Sequence, residues 1–142
     1  MYNTSEIEVL DTTLRDGTQM RGVNFTLQEK IRVATKLDDL GVSIIEGGWP
    51  GSNPKDLEFF KLIRKYELKN SKIAVFGSTR RKNITAINDN NLKVMVDSEA
   101  PVSVIVGKTS SFHVEKILNC SLEDNLDMIY DSLIFLRENG ME

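Results

Sequence analysis

Short apolar runs alternate along the chain with longer segments in which apolar residues recur every three or four positions. The short runs begin near Ile7, Val42, Ile73 and Val102. Runs of this length predict strands, and the periodic segments between them predict amphipathic helices. A regular succession of strands and helices is typical of a parallel sheet covered by helices. The pattern therefore predicts an α/β fold.

Capping residues mark where the first two predicted helices begin. Thr26 and Glu29 have the spacing of a capping box, and the apolar face that follows stops before Gly41, a typical residue after a helix. The second helix is predicted to begin at Asn53-Pro54, because asparagine is a good N-cap and proline is favoured in the first turn, and to end near Tyr66. Each helix thus follows a strand and its loop.

The last predicted helix has the clearest periodic pattern in the chain. A second capping pattern lies at residues 121–124, and the helix is predicted to close at Gly140. A weaker helix is predicted between Ile87 and Ser98. Every predicted strand is therefore followed by a helix, so we expect four βα units in one domain, residues 1–142. The apolar positions of the last helix are Leu122, Leu126, Ile129, Leu133 and Leu136.

Polar side chains cluster directly after each predicted strand. The first cluster is Asp-Thr-Thr-Leu-Arg-Asp-Gly-Thr-Gln at residues 11–19, and the second strand ends at Glu46. Hydroxyl and basic side chains follow the third strand at residues 78–82 and the fourth at residues 107–113. The carboxyl ends of parallel strands meet at one mouth of a barrel or one edge of a flavodoxin-like sheet. We therefore expect these clusters to converge in either fold.

The first cluster carries the most distinctive chemistry. Arg15 presents a planar guanidinium that can bind a carboxylate or stabilise an oxyanion. Asp16 can offer hard oxygen ligands to Mg²⁺ or Mn²⁺, and Gln19 can donate and accept hydrogen bonds. A surface loop with a simple Arg–Asp contact would explain the same residues, and the spacing alone does not separate the two interpretations.

Three segments resemble one enzyme superfamily. Residues 11–19 are similar to the signature of the metal-dependent TIM-barrel synthases and lyases, which include 2-isopropylmalate synthase, homocitrate synthase, citramalate synthase and HMG-CoA lyase. Residues 45–56 and 76–81 resemble the citramalate synthase branch more than the isopropylmalate branch. The resemblance runs over essentially the whole chain, and members of the superfamily are several times longer. It implies that this chain is the first half, four βα units, of a TIM (β/α)8 barrel, with the remainder of the catalytic domain absent.

The resemblance also implies roles for individual residues. Arg15 and Glu46 would be catalytic, Arg15 by stabilising the oxyanion of a keto substrate, and Asp16 would bind a divalent metal (Mg²⁺ or Mn²⁺, with Zn²⁺ as an alternative). Glu46 could equally be a buried salt-bridge partner of Arg15, residues 79–80 an exposed basic loop, and His113 a helix cap. The implied substrate-binding residues are Arg15, Gln19, Thr79, Arg80 and His113.

The superfamily also uses a His-x-His pair as metal ligands and a glutamate as general base, and neither lies in this chain, whose only histidine is His113. We therefore expect the chain to be inactive alone. The implied reaction is a Claisen-type condensation of acetyl-CoA with a 2-oxo acid, pyruvate giving citramalate, in isoleucine or leucine biosynthesis. Two alternatives stay open: a carbon–carbon lyase of the same superfamily, and a half-barrel that binds small anions or a partner without catalysis.

Composition narrows the remaining possibilities. The net charge of −3 gives no electrostatic reason to expect nucleic acid as a partner, and the apolar runs are too short to span a membrane. Gly107-Lys108-Thr109 lacks the upstream glycine of a phosphate-binding loop. We expect a cytoplasmic protein. A half-barrel leaves its first and last strands as open edges, so we also expect a homo-oligomer.

Overall fold

The computed structural model describes residues 7–142, whose strands form one parallel sheet in the order β1-β2-β3-β4. The strands are β1 (Leu10–Asp11), β2 (Ile44–Gly48), β3 (Lys72–Ser78) and β4 (Val102–Val106). The helices are α1 (Leu27–Leu40), α2 (Lys55–Ile63), α3 (Asn90–Asp97), α4 (Ser111–His113) and α5 (Leu122–Glu138). A π-helical turn (Val114–Leu118) continues α4, and short 3-10 turns lie at Gly17–Gln19 and Ala86–Asn88.

The strand order confirms the predicted α/β fold. It also distinguishes a barrel from a flavodoxin-like sheet, the two folds that the sequence leaves open. In a flavodoxin-like sheet the first strand lies inside the sheet, whereas here β1 forms one edge and β4 forms the other. Parallel strands that pair in sequential order, with helices between them, are the arrangement of a (β/α)8 barrel. The chain therefore forms half of such a barrel.

The first two strands lie further along the chain than the sequence pattern predicts. The apolar run at residues 7–10 predicts the first strand, but β1 is Leu10–Asp11, and β2 continues through Gly47 and Gly48 instead of ending at Glu46. Both glycines pack directly against α2. A Cβ at Gly47 would overlap the Phe59 ring, and one at Gly48 would overlap the Asp56 carboxylate. The glycines therefore serve close packing within a strand that the sequence pattern ends at Glu46.

The helix-capping predictions are largely confirmed. The Thr26–Glu29 capping box is present, and Gly41 adopts a left-handed conformation with φ of 86°. α2 begins at Lys55, whose backbone N–H donates to Asn53 Oδ1 over 3.2 Å. It ends at Ile63 rather than near Tyr66. The buried core between the sheet and α1–α3 includes Ile31, Ala34, Ile45, Phe59, Phe60, Val75, Leu92 and Met95.

The last helix is confirmed, but of the apolar stripe read from the sequence it fully buries only Leu136. Leu126 is 64% exposed and Leu133 is 46% exposed. Two buried polar side chains explain the rotation of the helix. Ser132 Oγ accepts a hydrogen bond from the Arg80 backbone N–H, and Asn125 Nδ2 donates to the Lys108 carbonyl. The buried face of α5 is Asn125, Met128, Ser132 and Leu136.

A second apolar surface lies on α1, the helix that follows the other edge strand. It is a depression of about 540 Å³ lined in part by Phe25, Val33, Leu37 and Leu40. Exposed apolar surface thus lies on the helices that follow both edge strands. No helix within residues 7–142 is both long enough and apolar enough to cross a membrane.

Asp38 ties α1 to the segment before β3. Its buried carboxylate accepts backbone hydrogen bonds from Lys69, Asn70 and Ser71 at 2.7–2.9 Å. Burial alone raises the pKa of Asp38, but these donors outweigh burial and hold the pKa below its ordinary value. The folded state therefore binds fewer protons than the unfolded state. The stability supplied by Asp38 is complete at neutral pH and is lost as the pH falls below about 4.

We expect Asp38→Asn to lower the free energy of unfolding by about 1–3 kcal/mol at neutral pH, because an amide cannot accept all three bonds with full charge. The loss should be smaller at about pH 3.5, because the carboxyl in the unfolded wild-type chain then takes up a proton that the folded state binds less readily. Urea unfolding at both pH values measures the difference. The neighbouring Asp39→Asn removes only an exposed contact with Lys36 and is the matched control. Equal effects of the two substitutions would contradict the assignment.

Candidate active site

Arg15 and Asp16 are presented by a tight turn directly after β1. The backbone N–H groups of Arg15, Asp16 and Gly17 all donate to the Thr12 carbonyl, at 3.1, 2.8 and 3.2 Å. Leu14, within the same turn, is fully buried in the core. A short, internally bonded turn with a buried anchor gives both charged side chains a defined starting position.

The Arg15 guanidinium is held on three sides. Its Nε donates to Glu46 Oε2 over 2.6 Å, and its Nη1 donates to Asp16 Oδ1 over 2.9 Å. The face of the guanidinium lies 3.9 Å from the centre of the Phe76 ring, a cation–π contact. The contact with Glu46 is the salt bridge that one of the two interpretations of that glutamate predicts. The three contacts fix the plane of the guanidinium.

One of the two carboxylate oxygens of Glu46 has no hydrogen-bond partner among the described residues. The side chain is completely buried, and Oε1 makes no hydrogen bond within residues 7–142. A buried carboxylate oxygen without a donor is costly. Among the described residues, Glu46 Oε1 therefore has no donor that offsets its burial.

Asp16 is the only predicted metal ligand, and it is open to solvent. Its side chain is 61% exposed and touches Arg15 through one oxygen. Within the described part of the chain, no group of three or more His, Cys, Asp or Glu side chains could hold a metal ion. One carboxylate cannot hold Mg²⁺ or Mn²⁺ against water. Residues 7–142 therefore do not fit a complete metal site.

The loop after β2 adds residues that sequence reasoning did not assign to the site. The Trp49 backbone N–H donates to Asp56 Oδ2 over 2.9 Å, and its indole Nε1 donates to Asn91 Oδ1 over 2.9 Å. The Trp49 ring meets Phe76 edge-on at a centroid distance of 5.3 Å. The glycines at positions 47, 48 and 51, where a Cβ would overlap neighbouring side chains, are the sequence signal of this close packing.

A depression of about 200 Å³ opens beside the guanidinium. Gln19, a predicted substrate-binding residue, is exposed and lines this depression together with Arg15. The two therefore share one surface, as the sequence predicts for the residue 11–19 cluster. The other lining residues are Thr18, Trp49, Ser52, Asn53 and Asp56.

Three other predicted substrate-binding residues lie elsewhere at the strand ends. Thr79 is half-buried directly after β3. Arg80 donates from Nε to Asp131 Oδ2 over 2.8 Å and from Nη1 to the Ile84 carbonyl over 3.2 Å, so its guanidinium is engaged with α5. His113 is exposed on α4. No hydrogen bond in residues 7–142 joins these side chains to Arg15 or Glu46, and their role in substrate binding stays a prediction.

Comparisons with known proteins agree with this geometry. The sequence profile of the family described as HMGL-like matches residues 6–142. The (R)-citramalate synthase of Sulfolobus acidocaldarius is 54% identical over 97% of this chain and 26% of that protein, and the one of Geobacter sulfurreducens is 53% identical over the same shares. The 2-isopropylmalate synthase of Saccharolobus solfataricus is 32% identical over 97% of this chain and 34% of that protein. The chain thus spans about a quarter of the length of these citramalate synthases.

Solved structures confirm the fold. The HMG-CoA lyase of Bacillus subtilis superposes with a TM-score of 0.71 over 96% of this chain and 44% of that protein, at 18% sequence identity. The HMG-CoA lyase of Brucella melitensis gives a TM-score of 0.70 over 95% of this chain and 46% of that protein, at 16% identity. At these identities the likeness concerns the fold alone.

Proposed function

The chain belongs to the HMGL-like family, and on that premise we propose that it is the amino-terminal part of an acyltransferase domain. The proposed reaction condenses acetyl-CoA with a 2-oxo acid, pyruvate giving citramalate. One observation carries the proposal: a guanidinium fixed by a buried carboxylate lies at the carboxyl end of the parallel sheet. The identity of 54% to a citramalate synthase, against 32% to a 2-isopropylmalate synthase, supports pyruvate as the 2-oxo acid.

Arg15 has the donors that this reaction needs. When the acetyl carbon attacks the keto carbon, negative charge develops on the keto oxygen. The contacts with Glu46 and Asp16 use Nε and Nη1 of Arg15 and leave Nη2 for that oxygen. Since the guanidinium is already oriented, little reorganisation accompanies the charge development. Glu46 balances the positive charge and holds the orientation.

Three further features belong to the proposal. Asp16 contributes one ligand to a divalent metal whose other ligands, like the general base, lie outside these 142 residues. Because residues 7–142 do not complete a metal site, we assign no step to the metal and expect this chain to be inactive alone. The pathway is branched-chain amino-acid biosynthesis, the compartment is the cytoplasm, and no nucleic acid or membrane takes part.

The test is an assay of the full-length protein with acetyl-CoA and pyruvate. We expect release of the CoA thiol and citramalate as the product, identified by mass spectrometry. A lyase of the same family would instead cleave 3-hydroxy-3-methylglutaryl-CoA and release no thiol with pyruvate. A protein that does neither, but whose NMR spectrum responds to 2-oxo acids, would be a binding module, and the proposal would be wrong.

We expect Asp16→Asn to weaken Mn²⁺ binding by the full-length protein at least about tenfold, because a ligand that supplies charge is replaced by a neutral amide. Thermal stability should not change, since the side chain is 61% exposed. Calorimetric titration with Mn²⁺ measures the affinity. Asp97→Asn, at an exposed position on α3, is the matched control. Unchanged Mn²⁺ affinity in Asp16→Asn would remove this residue from the metal site.

We also propose that the 142-residue chain self-associates, since β1 and β4 are the edges of the sheet and the helices after both strands expose apolar side chains. On the β4 side, among the described residues, only Glu142 pairs with the edge, through backbone hydrogen bonds with Pro101 and Ser103. Pairing β4 of one copy with β1 of another would satisfy both edges. Sedimentation velocity at micromolar concentration should show a dimer or a larger species. A folded monomer at that concentration would rule the idea out.

A further inference from the structure

We propose that Trp49 is a positioning residue for Arg15: it holds the Phe76 ring, which in turn supports the guanidinium. The inference rests on the proposed function, in which Arg15 is the group that meets the keto oxygen. It assigns a task to a side chain that the sequence pattern does not place in the site.

Both N–H groups of Trp49, of the backbone and of the indole, donate hydrogen bonds. The backbone N–H donates to Asp56 Oδ2, and Asp56 is itself fixed by the buried ammonium of Lys30 at 2.8 Å. The indole N–H donates to Asn91 Oδ1, and Asn91 Nδ2 donates to the Ser78 carbonyl over 2.8 Å at the end of β3. The indole is therefore bonded through Asn91 to the same strand that carries Phe76.

The loop closes tightly over the indole hydrogen bond. A Cβ at Gly51 would lie 2.5 Å from Asn91 Oδ1 and 3.1 Å from Trp49 Nε1. A residue other than glycine at this position would displace the acceptor, the indole or the loop. Glycine at position 51 thus leaves the room that the Trp49–Asn91 hydrogen bond needs.

Phe76 lies between Trp49 and Arg15. The edge-on contact with Trp49 has an interplanar angle of 81°, and Arg15 Cζ lies 3.9 Å from the Phe76 ring centroid. The hydrogen bonds to Glu46 and Asp16 fix the guanidinium at its donor atoms but do not support its face. Without the Trp49 ring packed against it, the Phe76 ring can tilt, and the guanidinium plane of Arg15 can tilt with it. A small misplacement of a reacting group lowers the rate by up to about 100-fold.

The experiment compares Trp49→Leu and Trp49→Phe in the full-length protein, with Tyr130→Leu, a 65% exposed aromatic on α5, as the control. Two quantities are measured: kcat and KM with acetyl-CoA and pyruvate, and the NMR signal of the Arg15 Nε–H, assigned with Arg15→Lys. We expect Trp49→Leu to lower kcat by about 10- to 100-fold with little change in the KM for acetyl-CoA. The Arg15 signal should shift and broaden.

Trp49→Phe should restore part of kcat and part of the Arg15 signal, since it returns a ring but not the indole N–H. If Trp49→Leu does not fold, Trp49→Phe decides by the same two measurements. An Arg15 signal that stays at its wild-type position in the folded variants overturns the inference, whatever the rate. If wild-type protein makes no citramalate but the Arg15 signal still responds to Trp49, the proposed function fails and the positioning role stands.

Discussion

Arg15→Lys should lower kcat of the full-length enzyme by about 100- to 1,000-fold with pyruvate as substrate. Lysine keeps the charge beside Glu46, but its ammonium is a point charge that cannot stack on Phe76 while it donates to both a carboxylate and the keto oxygen. Because the charge is kept, the variant should remain folded. Steady-state kinetics give kcat, and urea unfolding confirms that the fold persists.

The choice of lysine rather than alanine matters for this test. Arg15→Ala would leave the fully buried Glu46 without a cation, and removing one partner of a buried pair costs about 3–5 kcal/mol. Lost activity in that variant would therefore not separate chemistry from folding. Arg32→Lys, at an exposed position on α1, is the control for arginine replacement. An Arg15→Lys enzyme with wild-type kcat would exclude Arg15 from oxyanion stabilisation.

Asp56→Ala should lower the free energy of unfolding by about 3–5 kcal/mol, the expected loss when one partner of a buried ion pair is removed. Lys30 and Asp56 are 7% and 8% exposed, and Lys30 Nζ donates to Asp56 Oδ1 over 2.8 Å. Asp56 also accepts the Trp49 backbone N–H. The substitution therefore leaves the buried Lys30 ammonium without its carboxylate. It also removes the hydrogen bond that holds Trp49 in the loop next to Arg15.

A double-mutant cycle with Lys30→Met separates these two effects. Lys30→Met should cost less than Asp56→Ala, because the aspartate keeps the hydrogen bond from Trp49. Urea unfolding of the single and double variants gives the coupling energy. Asp39→Ala breaks only the exposed contact with Lys36 and should cost less than about 0.5 kcal/mol. A similarly small cost for Asp56→Ala would show that the pair does not hold α1 to α2.

The sequence predicts those parts of the site whose position depends on the pairing of the strands. Arg15 and Glu46 are 31 residues apart, but Arg15 follows β1 and Glu46 lies within the neighbouring β2, so parallel pairing of the two strands brings them together. Their salt bridge at 2.6 Å is the confirmation. Arg80 shows the limit of the same reasoning. It also follows a strand, but the carboxylate of Asp131 engages its guanidinium, and no strand rule indicates that contact.

The network around Trp49 could not be predicted in this way. Its acceptor Asn91 lies 42 residues further along the chain on α3, and the aromatic contact with Phe76 depends on how the loop folds over β3. Such contacts depend on side-chain packing between elements rather than on periodicity. The face that α5 buries has the same origin. Its orientation is set by the hydrogen bonds of Asn125 and Ser132, whereas periodicity records only that an apolar stripe exists.

We expect the anion-binding side of the proposed active site to be complete within these 142 residues. Calorimetric titration of this chain with pyruvate, alongside Arg15→Lys, is the decisive measurement. We expect weak binding by the wild-type chain, with a Kd of about 1–10 mM, and none by the variant. Equal binding by both chains, or no binding by either, would contradict the claim and leave the Arg15–Glu46 pair as a structural salt bridge.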